Sequence, residues 1–217
     1  MRAGVSRIRS AAAVRIQKAS RDEKWEIYAR CLAPRPGEQV LDVGVSSLDD
    51  LPGENYFLRR YPYPHQLTAV GIDDLSGLAA RYPNVTFVRA DGRALPFPDA
   101  HFDVVHSNAV VEHVGDEAEQ ARFVGELVRV AKAGFVTTPN RWFPIETHCG
   151  LPFLHWLPRR LAHALARWLR QPDLGWWLLG ASSFGRLFPE DVERTAHRTS
   201  VLKWPLTLIV VFRRPLA

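Results

Sequence analysis

Short apolar runs that stop on an acid, a glycine or a turn, with helix-like segments between them, limit most strongly what this chain can fold into. Gln39–Val43, Leu67–Ile72, Val85–Arg89, Phe102–Ser107 and Gly134–Thr138 read as five strands. Glu54–Arg60 predicts a short crossover helix closed by Pro62 and Pro64, and Leu75–Tyr82 predicts another. Glu117–Ala131 sets Ala118, Ala121, Val124, Leu127, Val128 and Ala131 at helical spacing. Upstream, Ser20–Cys31 carries Trp25, Ile27 and Tyr28 among charges, as an amphipathic helix does, and Pro34, Pro36 and Gly37 stop it. Alternation of this kind argues for a parallel α/β sheet covered on both faces. Near the end, Phe188–Val192 reads as a helix start. Ser200–Lys203 and Leu206–Phe212, parted by Pro205, read as a closing antiparallel strand pair.

Two stretches carry chemistry. Val40-Leu41-Asp42-Val43-Gly44 runs a strand into an acid and a glycine, and Asp91-Gly92-Arg93-Ala94-Leu95-Pro96-Phe97 leads an acidic loop towards the strand Phe102-Asp103-Val104-Val105. Polar groups at the ends of successive strands lie where open α/β sheets bind ligands. Together with Val110-Val111-Glu112-His113-Val114, these stretches resemble the class I S-adenosylmethionine (SAM)-dependent methyltransferases, in particular the type 11 branch and the quinone-pathway O-methyltransferases. The resemblance covers residues 38 to 140 well and the final strand pair loosely. It implies a Rossmann-like, doubly wound, seven-stranded sheet, mostly parallel, with a reversed last strand inserted beside the fifth. It also implies SAM as cofactor and transfer of a methyl group; it does not identify the acceptor, and transfer at oxygen to a small or lipid-like molecule is expected.

Seven positions are expected to hold that cofactor. Gly44 gives the sharp turn after the first strand, where amides could face the methionine carboxylate. The family's loop has glycine at alternate positions; here Val45, Ser46 and Ser47 follow, and Ser46 is small enough for the second glycine's place. Asp73 matches the ribose-binding acid, with Asp74 as fallback and helix capping as the competing role. Asp91 matches the acid that accepts from the adenine amino group, and Gly92 the amide beside it; an ordinary Asp-Gly turn is the alternative. Asn108 lies where the family's backbone borders the sulfonium. Asp42, Asp73 and Asp91 are expected to converge on one nucleoside.

Methyl transfer needs the acceptor in line with the methyl group and often a base to take the acceptor's proton. His113, Glu112 and His148 are the catalytic candidates. Relatives with a Glu-x-x-Glu-His pattern hold a metal there; Ala109 stands at the first Glu position, so no metal is expected. The segment Thr138–His148 brings Arg141, Glu146 and His148 over the same cleft. Beyond it, Leu151–Leu179 mixes Trp156, Trp168, Trp176 and Trp177 with Arg159, Arg160, Arg167 and Arg170. Leu161, Leu165, Trp168 and Leu169 share one helical face. Three roles are open to that face: ordinary core, a lid over an apolar acceptor, or contact with an anionic membrane.

Domain organisation follows: residues 1–37 as a basic lead-in and N-terminal helix, and 38–217 as the methyltransferase domain with a lid or acceptor insert at about 141–188. Hydrophobic residues at 47% and charged residues at 24% suit a folded domain. Basic residues exceed acidic ones 28 to 23, and six of them precede the first acid, Asp22. They are not interleaved as in a nucleic-acid module. No stretch approaches the roughly 18 apolar residues of a membrane span. Cys31 and Cys149 fit neither a disulfide framework nor a metal cluster, and reduced thiols in a cytoplasmic protein, with peripheral contact at the inner membrane face left open, are expected. Two rival functions remain: a SAM-binding module without turnover, suggested by the incomplete glycine loop, and a membrane-associated scaffold using the Arg/Trp insert.

Overall fold

A computed structural model of the chain describes residues 11–50, 53–146, 150–169 and 177–215. Seven strands form one sheet: β1 (Val40–Val43), β2 (Leu67–Gly71), β3 (Thr86–Arg89), β4 (Phe102–Asn108), β5 (Ala131–Pro139), β6 (Glu193–Val201) and β7 (Trp204–Arg213). Their order is β3-β2-β1-β4-β5-β7-β6. The first five are parallel, while β7 runs antiparallel to both β5 and β6. This is the expected mostly parallel sheet with a reversed last strand beside the fifth.

The period-2 alternation of each strand divides its side chains between two cores. On one face Val40, Leu67, Ala69, Val104 and Phe135 pack with Ile27, Tyr28 and Leu32 of α1 (Ala11–Leu32) and with Phe57 and Leu58 of α2 (Tyr56–Arg60). Leu78 of α3 (Ser76–Arg81) joins the same cluster. On the other face Leu41, Val43, Val105 and Phe212 pack with Phe123, Val124, Leu127 and Val128 of α4 (Glu117–Val130). Asp116 starts α4 by accepting from the Glu119 N–H at 3.2 Å, with Glu117 and Glu119 in its first turn and Arg129 in its last, as the helix dipole favours. Arg129 also reaches back to the carbonyls of Leu95 and Phe97, fixing the Leu-Pro-Phe loop under the helix.

The helix expected at Phe188–Val192 is a correction. The helix there is α6 (Ala181–Arg186), and residues 188–192 turn into β6, with Phe188 and Val192 buried in the α4-side core. Strand β6 starts seven residues before the expected one, because its side chains are mostly exposed and polar and carry no apolar alternation. Between β5 and α6 the described residues of the insert include a short 3-10 turn, Leu154–Trp156, and the α-helix α5 (Arg159–Trp168). Its flanks are tied to each other, since Asn140 bridges Leu179 and the Arg141 N–H donates to the Leu179 carbonyl at 2.9 Å.

Gly134 of β5 shows how tightly the sheet is covered: a Cβ there would lie 2.3 Å from the Phe212 ring and 2.7 Å from Val105. Gly134→Ala is expected to lower unfolding free energy by about 1–3 kcal/mol through overpacking, read as a lowered urea midpoint at unchanged slope.

Candidate functional site

At the carboxyl end of β1 the chain turns through Gly44, whose φ of +99° belongs to the region that disfavours side chains. The Gly44 and Val45 N–H groups both donate to the Val70 carbonyl, at 2.8 and 3.1 Å. A Cβ on Gly44 would lie 2.2 Å from Val110 Cγ2, so the loop after β4 closes directly onto the bare Cα. Two cavities adjoin this turn and share Val43, Gly44 and Val45.

The larger cavity, about 300 Å³, lies over the ends of β1 and β2 and against α4. Gly71, Ile72, Asp91, Gly92, Arg93, Val110, His113 and Phe123 line it. Gly92 is a packing glycine, because a Cβ there would lie 2.4 Å from the Phe123 ring. Arg93 holds both oxygens of Asp91, with Nη2 2.7 Å from Oδ2 and Nε 3.0 Å from Oδ1, and its Nη1 donates to Glu119 at 2.6 Å. Those hydrogen bonds outweigh partial burial and keep the Asp91 carboxyl below the usual range. At the end of β2, just ahead of α3, whose N-cap position is Leu75, Asp74 accepts from the Ser76 N–H at 3.0 Å. Asp73 stands exposed beside it.

The smaller cavity, about 120 Å³, lies on the α1 face. The β1–β4 register pairs Asp42 with His106, and His106 Nδ1 meets Asp42 Oδ1 at 2.7 Å, both residues being buried. The imidazole is stacked on Phe57 with ring centres 3.8 Å apart, and Phe135 lies on it at 5.8 Å. Helix α1 contributes Arg21, Lys24, Trp25 and Tyr28 to the lining. Lys24 Nζ donates to Asn108 Oδ1 at 2.6 Å, and the Thr137 hydroxyl donates to the same oxygen at 2.9 Å. Burial of the ammonium, with Arg21 nearby and Glu112 only partly offsetting it, pulls Lys24 down to about 8.

The stretch directly after Gly44, residues 45–48, carries no glycine and is held by side chains. Asn55, itself left-handed at φ 45°, accepts from the Ser46 N–H at 2.9 Å and returns its amide to the Ser46 carbonyl at 3.0 Å. Buried Asp49 accepts from Arg59, Asn55 and Tyr82, the last at 2.7 Å, and pairs with Arg81 at 3.0 Å. Burial alone would raise its carboxyl; the hydrogen bonds from Tyr82, Arg59 and Asn55 win and hold it low.

The sequence-expected residues are thus divided. Gly44 borders both cavities; Asp91, Gly92 and His113 line the larger, and Asp42, Ser46 and Asn108 the smaller. Asp42, Asp73 and Asp91 do not converge on one cavity: Asp42 points to the α1 face with His106, and Asp73 lines neither cavity. Glu112 is fully buried, accepts from the Thr138 hydroxyl at 3.1 Å and lines neither cavity; its backbone carbonyl accepts from the Trp177 N–H. His148 and Cys149 lie outside the described residues. Lys24, Arg21, Arg93, Asn55 and Asp49 were not anticipated. Lys24 alone offered a signal, being a cation on the same helical stripe as Ile27 and Tyr28.

Residues 53–136 match the family described as a methyltransferase domain. Over 122 residues the chain is 42% identical to a probable S-adenosylmethionine-dependent methyltransferase of Mycobacterium tuberculosis, a match covering 53% of this chain and 40% of that protein. Over 112 residues it is 30% identical to a ubiquinone/menaquinone biosynthesis C-methyltransferase of Vibrio vulnificus, covering 48% of this chain and 41% of that one. The chain therefore spans less than half the length of these curated relatives. Among solved structures, a SAM-dependent methyltransferase from Mesorhizobium loti superposes with a TM-score of 0.61 at 16% identity, covering 91% of this chain and all of that one. The magnesium protoporphyrin IX methyltransferase of Synechocystis, with bound SAH, gives 0.60 at 12% identity, covering 97% and 90%. The resemblance read from the sequence is borne out, and the fold is that of class I methyltransferases.

Asp49→Ala is expected to destabilise the protein by about 3 kcal/mol, since it leaves Arg59, Asn55 and Tyr82 without their shared acceptor. Urea unfolding measures this, and faster proteolysis within residues 45–55 would accompany it.

Proposed function

We propose that this chain, whose residues 53–136 match a methyltransferase domain, transfers a methyl group from SAM to a small or lipid-like acceptor. The observation that carries this reading is the pair of cavities meeting at Gly44, one roomy with Asp91 in its wall, the other small and lined by Lys24 and Arg21. Their residues fit the cofactor. The larger cavity suits a nucleoside, with Asp73 at its approach for the ribose hydroxyls and Asp91 for the adenine amino group. The smaller suits an amino-acid end, with Lys24 and Arg21 for the carboxylate and buried Asp42, already held by His106, for the ammonium. Ser46 and Asn108 border the latter space, and Gly92 keeps the loop against Phe123. When bound, SAM supplies an electrophilic methyl group on a sulfonium.

The chain's own tasks are then to position and to move one proton. Val110, seated on Gly44, marks where the two spaces join, and His113 is three residues beyond it on the larger cavity's wall. A partly exposed imidazole at that place can accept the acceptor's proton and release it to water. Glu112, buried beneath, acts as a positioning residue for the end of β5 through Thr138. His148 keeps its sequence-derived role as a further proton acceptor. Oxygen is the expected methylated atom. The Vibrio relative's description as a C-methyltransferase favours carbon as a second reading. One base serves both, because a deprotonated phenol is nucleophilic at oxygen and at its ortho carbon. In this reading the helix of the 1–37 lead-in belongs to the site, and the 141–188 insert bounds the acceptor.

Calorimetry is expected to show SAM and its demethylated product binding, with Asp73→Ala weakening both about tenfold, the worth of a hydrogen bond to a charged group. For the intact protein, affinity should be level below pH 8 and fall above it, because Lys24 then loses the charge that faces the carboxylate. Lys24→Met should bind weakly at every pH and remove that fall; no heat with either ligand would refute the reading. With radiolabelled methyl donor and cell extract, a small extractable product should be labelled, and His113→Ala should reduce labelling about a hundredfold with SAM affinity little changed. Binding without any labelled product would instead select the module without turnover.

A further inference from the structure

We propose that α5 and the turn before it form a docking surface for an anionic lipid bilayer. On this helix the small side chains point inward: Ala162 and Ala166 are buried and pack with Leu154 and Leu151 in a cluster of their own. The large apolar ones point outward. Leu161 is 58% exposed and Trp168 78%, with Leu165 and Leu169 on the same stripe, so the face is not core. Trp156, Leu157 and Phe153 of the preceding turn extend the exposed apolar surface, and Trp142 beside them is also exposed.

A soluble helix normally buries its large side chains and exposes its small or polar ones. Here the order is inverted, and charge indicates the occupant. Residues 150–169 contain no acid, whereas Arg160 and Arg167 are exposed on the stripe's flank, each the residue before Leu161 or Trp168 and so about 100° round the helix from it. An apolar stripe with tryptophan, edged by arginines of one sign, matches the acyl–headgroup boundary of an anionic membrane, where the ring and the guanidinium each keep a polar side in water. A second copy of this chain would have to offer acids opposite those arginines, and the same patch on a two-fold partner offers only more arginines. Among the described residues no helix is long and apolar enough to cross a membrane, so the contact is one of lying on the surface.

The turn is fixed to the loop that follows β5. The Trp156 indole donates to the Arg141 carbonyl at 3.0 Å, His155 Nε2 bonds the Phe143 carbonyl at 2.9 Å, and the Phe153 N–H donates to the Pro144 carbonyl at 2.7 Å. The surface therefore has a fixed relation to the carboxyl end of β5 and does not depend on the methyl-transfer reading.

Flotation of the full chain with phosphatidylglycerol-containing vesicles tests this. At low salt the protein should co-float, release as salt is raised, and fail to float with pure phosphatidylcholine. Arg160→Glu with Arg167→Glu should lower the partition coefficient at least tenfold, at about 1 kcal/mol per basic residue near such a surface. Leu161→Ser with Trp168→Ser should lower it comparably while circular dichroism stays unchanged, as both positions are exposed. No flotation at low salt overturns the proposal. Flotation indifferent to both variants overturns it too, as does a dimer in sedimentation velocity that the Leu161/Trp168 variant dissolves.

Discussion

The structure depends on one backbone turn. Gly44 bends the chain at φ +99°, lets one carbonyl of β2 take two successive amides, and leaves its α-carbon bare for Val110. Each relation excludes a side chain for a separate reason. The dihedral penalises one locally, and Val110 would collide with one 2.2 Å away. Since the walls of both cavities run through Val43, Gly44 and Val45, this turn fixes how the spaces on the two sides of the sheet edge adjoin. A substitution there would displace the loop after β4, and with it Asn108, Ala109 and His113.

The loop that follows replaces flexibility with a buried charge. Where glycines would let the backbone bend freely, Asn55 closes the loop onto Ser46, and Asp49 gathers a tyrosine, an amide and two arginines. A carboxylate with so many donors is stabilised more by them than it is penalised by burial, which is why it stays ionised. The same reasoning gives the opposite result at Lys24, where burial dominates and the ammonium becomes easy to discharge. On the proposed reading, an arriving carboxylate restores what burial removed, so cofactor binding and the protonation of Lys24 favour each other.

The fold was legible because its signals are local. Strands β1, β2, β4 and β5 are apolar runs buried on both faces, and α4 shows its 3.6 period directly. Strand β6 was not, because an exposed edge strand needs no apolar alternation and pairs by its backbone alone. For the site, Gly44 and Asp91 were readable from their place after strands. The separation of Asp42 from Asp91 was not: it follows from which face of the sheet each side chain takes, and register fixes that, setting Asp42 beside His106. Asp49 and Asn55 were invisible because their role depends on partners up to 33 residues away. Glu112 read as a catalytic candidate, and its sequence position did not show that the side chain is buried and accepts from the Thr138 hydroxyl.

The insert ties the exposed apolar surface to the sheet edge beside the cavities. It leaves the sheet at the end of β5 and returns at Leu179, with its flanks paired, so it projects from the carboxyl edge where the cavities open. Because β5 is parallel to β1 and β4, a surface held by Arg141, Phe143 and Pro144 lies on the same side of the molecule as Gly44. A bilayer engaged there would meet the protein at the sheet edge that holds Gly44. On the two proposals together, an apolar acceptor confined to that bilayer would need only to slide along the sheet edge towards Gly44, without first entering water. The inverted packing of α5, small residues inward and large ones outward, gives such an arrangement a physical reason: apolar area that costs solubility in water is useful at a lipid surface.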